Sequence, residues 1–331
     1  MQNFWKSLPK PFTVLAPMED VTDVVFREIM TTLPKPDVFF TEFTNADGLS
    51  SRGHDRVVQK LRYTENQRPI VAQIWGMNTE TMRKAAEEVK ELGFDGIDIN
   101  MGCPVPAVIK RGAGAGHIGN YEQTKEIIDA VREGAGDMPL SVKTRLGQAS
   151  IIADEWIPFL LKQNLAALTI HGRIAAQMSK GDADWNQIGK AVEMRNEHAP
   201  ETVLIGNGDI MNYAQVLEKH EAHRVDGVMI GRGVFSNPWI FEKTLTPATH
   251  TKEEYIDILL RHIALFDDTW GKNKNFELMK KFFKMYIKDF DDANHMRQQL
   301  MECKTRIQIE DTIRNLLQST YGPTSSSVSE T

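Results

Sequence analysis

Cysteine is nearly absent. The chain has 331 residues and only two of them, Cys103 and Cys303, are cysteine. Two thiols cannot build a disulfide framework or a multi-cysteine metal site. A reducing cytoplasm is therefore the expected location, and no metal is expected. Long apolar runs are missing as well. No stretch approaches the roughly 18 continuous apolar residues of a spanning helix, and the opening "MQNFWKSLPKPF" lacks the apolar core of a signal peptide. A chain free of the membrane is expected. Positive charge is in deficit, with a formal net charge of −6. That excludes a generally basic nucleic-acid coat but leaves room for a local basic patch. No G-x-G-x-x-G opens a helix after the first apolar run, which weighs against an open doubly wound sheet that binds a dinucleotide.

Short apolar runs rich in Val, Ile and Phe are what the chain does have. They are "FTVLAPM" (12–18), "VFFTEF" (38–43), "PIVAQIWG" (69–76), "GIDINMG" (96–102), "LSVKTRLG" (140–147), "LAALTIHGR" (165–173), "TVLIGNGDI" (202–210) and "GVMIGRG" (227–233). Runs of this length and composition suit strands buried on both faces, as in a parallel sheet. The gaps read as helices. "TETMRKAAEEVKELG" puts Met82, Ala85, Ala86, Val89 and Leu92 on one stripe with Gly93 at its end. "YEQTKEIIDAVREGAG" turns Ile127, Ile128 and Val131 inward, and "NYAQVLEKH" and "DEWIPFLLKQN" are shorter helices, the last with Pro158 inside. Eightfold strand–helix alternation over about 230 residues predicts an α/β fold, a (β/α)8 TIM barrel.

The pattern changes near Thr244. "TLTPATHTKEEY" reads as a linker and helix start, with Thr251 as N-cap and Glu254 three residues on. Helical periodicity follows. "FELMKKFFKMYIKDF" predicts one helix burying Met279, Phe282, Phe283, Tyr286, Ile287 and Phe290, with Lys280, Lys281, Lys284 and Lys288 off that stripe. Two more helices are expected over 292–302 and 304–318. The domain plan is thus a barrel at 1–244, a small all-helical domain at 245–320, and a polar mobile tail at 321–331.

In a barrel of this kind the active site lies at the C-terminal ends of the strands. The runs deliver Pro17 and Met18, Gln73, Asn100 and Cys103, Lys143 and Arg145, and His171 and Arg173 there. Singly, each is an ordinary core or surface residue; convergence on one rim is what points to a site. The loops after strands seven and eight often hold a phosphate. "GNGDI" (206–210) and "GRG" (231–233) stand in those places, and Arg232 adds charge.

Taken together, "APMEDVTD", "VAQIWG", "INMGCPVPAVIKRGAGAG", "VKTRLG", "TIHGR", "IGNGDI" and "MIGRG", in that order, resemble the tRNA-dihydrouridine synthases, flavin enzymes that reduce specific uridines in tRNA. The resemblance implies FMN at the top of the barrel. Pro17, Met18 and Glu19 would line the flavin. Gln73 and Lys143 would contact its ring edge. His171, Asn207, Gly208, Asp209, Gly231 and Arg232 would hold its edge and phosphate end. NADPH or NADH would be the reductant and tRNA the substrate, met by Asn100, Lys110, Arg145 and Arg173 and by the lysines at 280, 281, 284 and 288. A monomer is expected. Saturating a uracil C5–C6 bond needs a hydride at C6 and a proton at C5. A free thiol, with a pKa of about 8.5, is mostly protonated near neutrality, and the resemblance makes Cys103 that proton donor. Cys303 reads as core.

The sequence departs from the family's pattern at His117 and Ile118, where an apolar pair is usual. It departs again at Ile174, Ala175 and Met178, where a threonine, a second arginine and an aromatic are usual. The segment 108–119 reads as a flexible loop able to close over a nucleotide. Two rival readings are an FMN barrel oxidoreductase acting on a free small molecule and a non-catalytic RNA-binding barrel. Activity on free uridine would favour the first, and tRNA binding without flavin the second.

Overall fold

The computed structural model describes residues 3–246 and 248–320; the expected tail at 321–331 lies outside them. The chain divides into two compact units, Met1–Pro247 and Ala248–Thr331. Among the described residues no helix is long and apolar enough to cross a membrane.

In the first unit the apolar runs become β1 (Phe12–Leu15), β2 (Phe39–Phe40), β3 (Thr44–Asn45), β4 (Ile70–Trp75), β5 (Gly96–Met101), β6 (Leu140–Arg145), β7 (Ala167–His171), β8 (Val203–Asn207) and β9 (Gly227–Ile230). All pair in parallel, in the order β1-β9-β8-β7-β6-β5-β4-β2, with β3 also on β4. A bridge between Val14 and Val38 joins the two ends of that order, with the Leu15 N–H donating to the Val38 carbonyl at 3.0 Å. The architecture is the (β/α)8 barrel. One expected run, 38–43, is not a single strand. The Thr41 hydroxyl accepts the Gln73 N–H and donates to the Glu42 carbonyl, so a side chain replaces the backbone in the ladder between β2 and β3.

Alternate residues of each strand face the barrel axis, and they differ by level. At the N-terminal end Phe12, Val14, Phe40, Val71, Val203, Ile205 and Met229 pack as one apolar cluster that Trp5 closes from below. Burying each such side chain is worth roughly 1.5–3 kcal/mol. One level up, the inward positions turn polar: Gln73, Asp98, Ser141 and Thr169 are all fully or almost fully buried. The register pairs Gln73 with Asp98 and Asp98 with Ser141.

The helices form where the apolar stripes recur. Thr79–Glu91 is capped by the Asn78 side chain and buries Met82, Ala85, Ala86 and Val89. Leu92, expected on that stripe, caps the helix and is exposed. Tyr121–Ala135 buries Ile127, Ile128 and Val131, and Ala153–Leu161 contains Pro158.

The second unit starts with Lys252–Trp270, closed by a reciprocal cap between Thr251 and Glu254. The single helix expected over 276–290 is not one. A 3-10 stretch, Phe276–Phe282, gives way to a short α-helix, Phe283–Tyr286. Met279, Phe282, Phe283, Met285, Tyr286 and Ile287 are all buried. Six buried side chains in nine positions do not fit one α-helical stripe, so the chain tightens and then turns to sink them. Ala293–Glu302 and Arg306–Thr320 follow.

Candidate active site

The C-terminal mouth of the barrel opens into a cleft of about 640 Å³. Fifteen positions named from the barrel sequence line it: Pro17, Met18 and Glu19; Gln73; Asn100 and Cys103; Lys143 and Arg145; His171 and Arg173; Asn207, Gly208 and Asp209; Gly231 and Arg232. Lys110 does not; it caps the short helix Pro106–Ile109 and is exposed outside the cleft. The lysines of the second unit separate too. Lys280 and Lys284 line a hollow of about 420 Å³ with Phe283, Asn294 and Arg297. Lys281 lies instead near the Phe282 ring, and Lys288 pairs with Asp289 and lies near the Tyr255 ring.

Cys103 follows β5 at a turn fixed from both sides. The Asn100 side-chain oxygen accepts the N–H groups of Gly102 (3.1 Å) and Cys103 (2.9 Å), and the Cys103 carbonyl accepts the Ala115 N–H at 3.0 Å. Burial pushes the thiol above its ordinary pKa, against the Val105 N–H and the charges of Arg145 and Lys143. A raised thiol pKa keeps the proton on sulfur near neutrality. The segment 108–119, read as a flexible loop, is tied down. Gly114, Ala115 and His117 are buried, His117 Nε2 lies 3.1 Å from the Gly76 carbonyl, and Gln148 donates to the Ile118 carbonyl at 2.7 Å.

The cleft concentrates positive charge in an acidic protein. Burial brings Lys143 down to about 7, with Arg145 adding to the effect, and its Nζ donates to the Asn207 side-chain oxygen at 3.0 Å. Burial and then the charge of Arg173 bring Arg145 down to about 10. His171 is held neutral, first by burial and then by Lys143, Arg145, Arg173 and Arg232. Arg173 Nη1 lies 3.1 Å from His171 Nε2. A guanidinium only donates, so the imidazole proton sits on Nδ1. Burial is the main cause of the shifts at Lys143, Arg145 and His171, and the neighbouring cations add to it; such a surplus of positive charge suits an anion.

Arg145 is largely engaged with the backbone. Its Nε donates to the Gly102 carbonyl at 2.8 Å and its Nη1 to the Met178 carbonyl at 2.8 Å, joining the thiol turn to the 174–178 segment. Arg173, almost fully buried, pairs with Asp209 at 2.5 Å, and Asp209 also meets Arg232 at 3.2 Å and the Ala183 N–H at 2.8 Å. Burial raises the Asp209 carboxyl, but the Arg173 hydrogen bond and the Ala183 N–H outweigh it and hold it below its usual range. Asp209 therefore serves the two arginines, with its backbone at φ 55° and Gly208 before it at φ 136°. Glu19, at the cleft edge, is paired with Lys60 and stands among Asp20 and Glu42. Met178 and Met211 are both exposed at the mouth.

The sequence reading missed Met211 and Ser236 at the cleft wall and, beneath it, Asp98. Asp98 lies beneath the cleft, fully buried, accepting from Gln73 Nε2 at 2.7 Å and the Ser141 hydroxyl at 2.6 Å. Its signal was available: a carboxylate inside an apolar run must find partners.

Residues 14–320 match the family model of the dihydrouridine synthases. A probable tRNA-dihydrouridine synthase 2 of Bacillus subtilis (strain 168) is 46% identical over 319 residues, covering 96% of each chain. A probable tRNA-dihydrouridine synthase of Staphylococcus aureus (strain COL) is 44% identical over 308 residues, covering 92% of each. Among solved structures, a morphinone reductase mutant in complex with tetrahydroNAD superposes with a TM-score of 0.50 at 15% identity, covering 72% of this chain and 88% of that one; it shares the barrel fold. With the family model spanning both units and two relatives matched nearly end to end, the chain belongs to the dihydrouridine synthase family.

Proposed function

We propose that this protein is a tRNA-dihydrouridine synthase, an oxidoreductase that saturates the C5–C6 bond of particular uridines in tRNA. The observation that carries the reading is a buried, protonated thiol at the edge of a cationic cleft, in a chain of this family. The cleft fits FMN. Its volume suits a ligand of that size, and Lys143, Arg145, Arg173 and Arg232 leave an excess of positive charge for a phosphate and an electron-rich ring. Bound FMN, once reduced by NADPH or NADH, would supply the hydride to C6.

The chain supplies the rest. Cys103 gives its proton to C5, and burial keeps that proton in place until the base arrives. Lys143, aimed by Asn207, places positive charge where negative charge develops, and an anion beside it would restore its depressed pKa. Pro17, Met18 and Glu19 form a wall of the flavin site, and Gln73 and His171 present polar groups to its edge. Asn207, Gly208 and Gly231 shape the phosphate end, where Asp209 holds Arg232. Asn100 and Arg145 set the thiol turn against the incoming base, and Met178 and Met211 give its mouth an apolar rim. A uridine must leave its stack to reach this depth. Lys280 and Lys284, with Arg297 beside them, offer contacts to the tRNA backbone from the second unit. The substrate makes the cytoplasm the working location.

Incubating unmodified tRNA with the purified protein and NADPH, then measuring nucleosides by mass spectrometry, tests the reading. A gain of two hydrogens on uridine at mapped positions is expected. No gain, with flavin bound and reducible, would assign the barrel to a small-molecule substrate.

A further inference from the structure

Two amide side chains stand between Asp98 and the thiol turn, and the ends of that chain of groups decide how both must point. At one end Asp98 Oδ2 accepts from Gln73 Nε2 at 2.7 Å. At the other, the N–H groups of Gly102 and Cys103 can only donate, and both go to Asn100 Oδ1. The middle link closes the chain: Asn100 Nδ2 donates to Gln73 Oε1 at 2.9 Å. An acceptor at one end and donors at the other leave one consistent orientation for each amide. Reversing Gln73 alone would set two NH2 groups against each other, and reversing Asn100 as well to relieve that would turn its donors toward the backbone N–H groups. All three side chains are buried, so water offers no substitute.

We infer that Asp98 is a positioning residue for the reaction, one that fixes the orientation of Gln73 and Asn100 and, through them, the turn that carries Cys103. Ser141 makes the arrangement robust. Its hydroxyl, 2.6 Å from Asp98 Oδ1, can donate to a carboxylate or accept from a carboxylic acid. Asp98 therefore keeps an acceptor oxygen for Gln73 in either protonation state. Touching neither mouth nor thiol, Asp98 acts from below, in line with the barrel axis. The same logic distinguishes two substitutions. Asp98→Asn retains an acceptor for Gln73 and a partner for Ser141. Asp98→Leu, with the same branched skeleton but bulkier, retains neither.

This inference rests on reading Cys103 as the acid, so its test uses the thiol's position and not its chemistry alone. In the flavin-bound protein, the rate of iodoacetamide labelling at Cys103 is compared by peptide mass spectrometry with that at Cys303, which serves as an internal reference in the other unit. The Cys103/Cys303 ratio should change by about fivefold in Asp98→Leu, the size of one net hydrogen bond, and stay within about twofold of wild type in Asp98→Asn. Uridine reduction should fall in the first and persist in the second. If Asp98→Leu fails to fold, Gln73→Met breaks the chain one link further on and should move the ratio likewise. An unchanged ratio in folded Asp98→Leu or folded Gln73→Met overturns the inference. A changed ratio without loss of uridine reduction would retain the positioning of the thiol and reject its role as the acid.

Discussion

At Cys103 two opposed influences decide whether the sulfur is a base or an acid. The nearby cations favour thiolate, as they do at reactive cysteines elsewhere, and burial favours thiol. Here burial wins, and the side chain keeps a proton to give. Cys103→Ala should retain flavin and tRNA binding and lower single-turnover uridine reduction by roughly 10²–10⁴-fold, the usual range for a lost general acid. Rapid-quench nucleoside analysis reads this directly, and turnover at the wild-type rate would remove the acid from the scheme. The rim residues were legible because each ends an apolar run, where the barrel places its chemistry. Two relations were not. Arg173 and Asp209, 36 positions apart, read as separate contacts to substrate and cofactor, yet first they satisfy each other. Asp98 finds its partners 25 and 43 positions away, distances at which a single sequence carries no periodic signal.

At the scale of elements, the 3-10 turn Gly114–His117 behind the thiol hangs on a neutral histidine. Burial brings His117 down to about 4, and its Nδ1 is buried without a hydrogen-bond partner. The unfolded chain has the ordinary value, so it binds the proton more readily than the folded one. The stability His117 contributes is complete above about pH 6.5 and is lost as pH falls toward 4, amounting to about 2 kcal/mol at pH 5. His117→Gln should therefore show a smaller fall in Tm between pH 7 and pH 5 than wild type; equal falls would place the acid sensitivity elsewhere. The sequence read this segment as a mobile loop because glycine and alanine are permissive. What holds it is Gly76 and Gln148, remote in the chain. Elements with clean periodicity, such as Thr79–Glu91, lie where their stripes predicted. The stretch 276–290 does not, because tertiary burial of too many large side chains overrides the α-helical spacing.

At the scale of the molecule, a net charge of −6 repels a polyanion at a distance, so attraction has to come from cations gathered locally. Lys280 and Lys284 share one hollow with Arg297, although Lys280 also meets Glu277 at 2.8 Å. Replacing both lysines by alanine should weaken tRNA binding and reduce the slope of log affinity against log salt by about 1.5–2, while flavin content stays at the wild-type level. A slope unchanged within error would mean that those lysines face solvent only.

The barrel interior has a final implication. Its lower storey is hydrocarbon, from Trp5 to Met229, and its upper storey is a lattice of amides, carboxylate and ammonium. Architecture and chemistry thus occupy different floors of one shaft. A new specificity could be written into the upper floor and its rim by exchanging polar groups, while the foundation beneath went on holding the walls apart.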